Sequence, residues 1–146
     1  MSIIRNDTQV ALNDLHVALK HSADHYREAG EFLQDGEVSA FCEQAAADRD
    51  QLAGLVEQVI RESGQLPSVP DQDRETGEQL LERLESLFSA DETREVLQNR
   101  LDIEQQLLAT LDEPEMAALD KQHAELKARC RNSVTEAIRS LKQRIG

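Results

Sequence analysis

Apolar residues spaced alternately three and four apart run through most of this chain, and that spacing restricts it to long, packed helices. Leu12, Leu15, Leu19, Ser22, Tyr26, Ala29 and Leu33 form one seam. Val38, Phe41, Ala45, Asp48, Leu52, Leu55 and Val59 form a second. The period is that of helices burying one stripe against their neighbours. A third seam joins Leu97, Leu101, Leu108 and Leu111. A fourth joins Leu119, His123, Leu126, Cys130, Val134 (or Ser133), Ala137, Leu141 and Ile145. Breakers are scarce, with 6 Gly and 3 Pro in 146 residues, so strand-rich or loop-rich classes are excluded.

The chain reads as a single domain over 1–146, with a loose tail at about 1–6. A first helix starts at Asp7 or Thr8 and runs to Leu33, where Asp35-Gly36 closes it, with Gly36 suited to a left-handed position. A second spans about Glu37–Ser63 and ends at Gly64. So short a connection makes the two antiparallel. Pro67 and Pro70 mark the one breaker-rich stretch, Gln65–Asp73. A shorter amphipathic helix follows at about Arg74–Phe88. Ser89 with Glu92 has the capping-box pattern and opens a helix at about Ala90–Leu111. Pro114 restarts the chain into a last helix reaching about Arg144. Residues 64–90 are long enough to run back along the molecule. The expected fold is therefore all-α: a ferritin-like four-helix bundle with a long crossover containing an extra short helix.

The formal net charge of −13 argues against nucleic-acid and membrane partners. It is unevenly spread: Asp120–Gly146 holds seven basic residues against three acidic ones, as expected of a basic helix packed beside acidic ones. No run approaches a membrane span. The opening Met1-Ser2-Ile3-Ile4-Arg5-Asn6-Asp7 turns polar before an apolar stretch forms, so a cytoplasmic chain is expected. In that setting Cys42 and Cys130 are two reduced, buried thiols. No nucleophile elbow, phosphate loop or CxxC pair is present.

One residue breaks the third seam. Glu104 stands where a leucine is expected, and a buried carboxylate is costly unless something answers it. Counting outward from the connections puts Ser22, Asp48, Glu104 and His123 at one height, as a single polar layer. This is the height at which ferritin-like carboxylate proteins hold two metals, using a Glu on two helices and Glu-x-x-His on the other two. Glu104, Asp48, the Asp120-x-x-His123 pair and His25 are the candidate ligands, for iron, manganese or zinc. The set is incomplete: helix two offers Gln51 where a histidine is needed, and two of the acids are the shorter Asp. The competing reading is a structural layer without a metal. There Arg49, Arg100 or Arg129 neutralises the acid, and Tyr26, Ser22 and His123 supply hydrogen bonds. His16 reads as a surface residue.

The pattern Leu12-Asn13-Asp14-Leu15, then Tyr26-Arg27-Glu28-Ala29, then Phe41 and an A-x-x-R ending at Arg49 resembles a bacterial family of ferritin-like four-helix bundles. That family is catalogued as a domain of unknown function. The resemblance covers most of residues 6–135 and is most specific in the first two helices. It implies the ferritin-like bundle and a bacterial cytoplasmic setting, with no assigned activity. Family members often carry an acid where this chain has Ala53-Gly54, and a histidine where it has Arg129, which implies a metal-free member. The functional expectation is a non-enzymatic protein with a degenerate metal site, acting through its acidic surface or by self-association as a homo-oligomer. The alternatives are a metal-binding, stress-related protein and an adaptor that docks a protein partner through the 74–88 helix.

Overall fold

The computed structural model describes residues 7–33, 36–64 and 92–146. Within them the chain is all-helical: α1 (Asp7–Leu33), α2 (Gly36–Glu62), α3 (Glu92–Leu111), a 3-10 segment (Pro114–Leu119) and α4 (Ala124–Ile145). The 1–6 tail, Asp35, the Pro67 and Pro70 stretch, the 74–88 helix and the Ser89 cap fall outside the described residues. No described helix is long and apolar enough to cross a membrane.

α1 and α2 are antiparallel along their length. Ser39 Oγ near the start of α2 donates to the Gly30 carbonyl near the end of α1, at 2.7 Å. Farther along, Lys20 and Arg27 of α1 both donate to Asp50. Gly30 is needed for this approach. A Cβ there would stand 3.2 Å from both the Cys42 Cβ and the Ser39 carbonyl oxygen. α3 and α4 form a second antiparallel pair, through Leu97 and Leu101 against Leu141. Leu111 packs in the same cluster as Leu12 and Ile60, whereas Val96 packs with Tyr26, Ala29 and Cys42. α3 therefore runs against α1 and with α2.

Two expectations about helix ends are corrected. Gly36 is the first residue of α2, and among the described residues the left-handed glycines are Gly64, which closes that helix at φ 84°, and Gly146. The single last helix from Pro114 is a 3-10 turn, a break and then α4. Met116 and Leu119 are 3% and 0% exposed and turn into the cluster around Leu12 and Leu15, so the chain closes the end of the core. Thr8 Oγ1 ties this turn to α1 through the Ala118 carbonyl at 3.3 Å. His123, at φ −130° and ψ 31°, is the residue before α4 rather than part of a continuous helix.

His16 is also corrected, since it is only 6% exposed and its Nδ1 is buried with no hydrogen-bond partner. α1 is covered by α2 and by the 3-10 turn as well as by α3, so its buried face is wider than one seam. Burial holds the His16 imidazole below its usual 6.5; Glu57 opposes the shift, while Lys20 and Arg61 add to it. A folded value below the unfolded one means stability that is complete above the unfolded value and lost as pH falls through the folded one. His16→Leu should therefore lose less in Tm than the parent between about pH 7 and about pH 5. Equal losses in the two proteins would remove His16 from the acid response.

Candidate functional site

Glu104 lies at the centre of the molecule, 2% exposed, and it is answered by a guanidinium. Arg49, from the opposite side of the core on α2, donates through Nη1 to Oε1 at 2.8 Å and through Nη2 to Oε2 at 3.0 Å. Tyr26 on α1 donates its hydroxyl to Oε1 at 2.5 Å. The rest of the Arg49 fork is also used. Nη1 donates to Ser22 Oγ at 2.8 Å, Nε to Ser133 Oγ at 3.2 Å and Nη2 to the Ser133 carbonyl at 3.4 Å. Each of the four described α-helices thus sends at least one residue into this layer. The planar fork matches a carboxylate in two parallel bonds, which is the strong form of such a pair.

The layer divides the apolar core. Leu12, Leu15, Leu19, Val56 and Leu111 lie on one side, and Ala29, Cys42, Ala46 and Val96 on the other. Burial raises the Tyr26 hydroxyl well above its ordinary value, and the neighbouring Glu104 charge raises it further. Tyr26 is therefore a proton-bearing donor, not a base. A second guanidinium, Arg100, is 2% exposed and stands 5.6 Å from the Tyr26 ring centroid, with Arg49 at 5.7 Å. Arg100 donates one long hydrogen bond, to Asn99 Oδ1 at 3.3 Å. Desolvation lowers its pKa, against the pull of Tyr26 and Glu104.

Of the residues expected in the layer, Glu104, Ser22, Tyr26 and Arg49 are brought together. The others are not. Asp48 is exposed and accepts from Gln44 at 3.1 Å. Asp120 is exposed and paired with Lys127 at 3.0 Å. His123 sits ahead of α4, and Arg129 is exposed. His25 stacks on His21, with ring centroids 6.2 Å apart. The height assigned to His123 belongs to Ser133, because the 3-10 turn and break take ten residues out of the helix that the count assumed. Ser133 was the missed member; its signal was a small hydroxyl beside a seam of apolar residues.

Among the described residues no three His, Cys, Asp or Glu side chains gather as a ligand set. The one central carboxylate has both oxygens committed to a fixed positive charge and a phenol. Cys42 and Cys130 are free thiols in separate core clusters, each pushed by burial up to about 11. A groove of about 570 Å³ opens between α2 and α4, with Arg49 and Ser133 among its lining residues and Asp48 and Arg129 on its walls. Compared with known proteins, the chain matches no family model, no curated protein and no solved structure.

Proposed function

We propose that this chain is a ferritin-like bundle whose metal position is closed by an internal guanidinium–carboxylate pair, and that it acts by association rather than by catalysis. The observation that carries the reading is the double commitment of Glu104, to Arg49 through both oxygens and to Tyr26 through one. A divalent cation at that height would have to displace a guanidinium already matched to the carboxylate. The shared direction of α2 and α3 supports the ferritin-like topology. The resemblance in the first two helices supports it too, since the tyrosine of Y-R-E-A is Tyr26 and the arginine of A-x-x-R is Arg49. The two motif residues are the two that hold Glu104.

Elemental analysis of untagged protein tests the reading. The expected content of iron, manganese and zinc is well below one ion per chain, and unchanged in Glu104→Ala. Stoichiometric metal that disappears in Glu104→Ala would overturn it.

A further inference from the structure

The outward face of α2 repeats itself. Over residues 40–60 the chain reads AFCEQAA, ADRDQLA, GLVEQVI: three heptads, each with a small residue first, an acid fourth and glutamine fifth. The first positions, Ala40, Ala47 and Gly54, and the fifth, Gln44, Gln51 and Gln58, are all exposed. They alternate four and three apart, so they line one stripe of the helix as a coiled-coil seam does. The stripe continues by the same steps to Glu37 at one end and Arg61 at the other, both exposed. In a chain with 31% charged residues, the six positions between those ends carry no charge.

We infer that this stripe is a self-association surface, and that its occupant is α2 of a second copy running antiparallel. A parallel pair would set small residue against small residue, glutamine against glutamine and Glu37 against Glu37. An antiparallel pair centred level with Arg49 does the reverse at every step. Ala47 faces Gln51, Ala40 faces Gln58 and Gly54 faces Gln44 of the second copy, so each long amide lies over a small residue. At the ends Glu37 faces Arg61, twice, across a seam about 36 Å long. Each also has a partner within its own chain, Arg144 at 3.5 Å for Glu37 and Glu57 at 2.9 Å for Arg61. The end contacts therefore add to pairs that Glu37 and Arg61 already make within their own chain.

The groove beside the stripe supports the same register. Arg49 facing Ser133 places Arg129 level with Ala53 of its own α2. The two-fold brings Arg129 level with Ala45 of the second copy, within one helical turn of that copy's Asp48. Both residues line the groove. Of the three flanking acids, Asp50 is paired with Lys20 and Arg27 and Glu57 with Arg61, while Glu43 is exposed and keeps its charge in solvent. This surface deepens the association proposed above, but it does not depend on the closure of the central site.

Sedimentation equilibrium of the full chain tests the inference. The parent is expected to be a reversible dimer. Glu37→Arg and Arg61→Glu should each weaken it by about tenfold or more, because each sets two like-charged pairs face to face. The double exchange, Glu37→Arg with Arg61→Glu, should return the dissociation constant to within about threefold of the parent. Ala47→Lys should also weaken it. All these positions are exposed, so circular dichroism should show each variant folded. A parent that stays monomeric, a dimer indifferent to the single reversals, or a double exchange no better than the singles would each overturn the inference. Metal analysis reads the central site separately, so failure of one proposal is not failure of the other.

Discussion

Glu104→Leu lowers the stability of the folded chain by about 3–5 kcal/mol, read from urea denaturation, because it strands the Arg49 charge in the core. The leucine matches the seam and buries more apolar area, so a hydrophobic argument alone predicts the opposite sign. Two facts decide it. The Arg49 side chain is 2% exposed, and the bonds that neutralise it are those to Glu104. Arg49→Met is expected to cost a similar amount for the mirror reason. The double variant, Arg49→Met with Glu104→Leu, should recover most of the loss, since it removes both charges and keeps the volume. A double variant as unstable as the sum of the singles would show that the residues act independently and would sink this account of the layer.

Arg100→Met is expected to move stability the other way, upward by about 1–4 kcal/mol. Arg100 is as buried as Arg49 but has no carboxylate within ion-pair distance among the described residues. Its returns are one 3.3 Å hydrogen bond to Asn99 and the face of Tyr26. The aromatic contact is worth about 2 kcal/mol for a desolvated cation, while removing a guanidinium from water costs several. Methionine keeps the stem packing and drops the charge. Glu28 has a buried Oε2 with no hydrogen-bond partner, and burial raises its pKa. Arg100 and the half-buried Glu28 feel each other's charge but form no ion pair among the described residues. A fall in stability for Arg100→Met would mean that Arg100 screens Glu104 or Glu28 strongly enough to outweigh its own burial.

The residues at the heart of the site were legible because Glu104 is conspicuous in a leucine seam, and the cations able to answer it are few. Arg49, Tyr26 and Ser22 follow from two helices whose short connection fixes their register. Asp48, Asp120 and His123 were misplaced for different reasons. Asp48 neighbours Arg49, and a rotation of one residue on a helix exchanges the core for solvent. His123 and Asp120 depended on a register counted across Glu113 as though α3 turned directly into α4. The sequence carries only weak signals that Met116 and Leu119 would turn inward on a 3-10 segment. That turn moves the whole of α4 by almost three helical turns. His16 was misread because a seam describes one stripe, and α1 is covered on more than one.

The members of the central layer are far apart along the chain: Glu104 is 55 residues from Arg49 and 78 from Tyr26, and Ser133 is 84 from Arg49. Each hairpin can form from contacts closer in sequence, but the layer is complete only when the two hairpins dock. Closing separations of that length has an entropic cost before any bond is made, so such contacts are gained late. Interactions absent until the end slow escape from the native state far more than they speed arrival. The Arg49–Glu104 pair is placed to set how long the folded chain persists, and hardly how fast it forms.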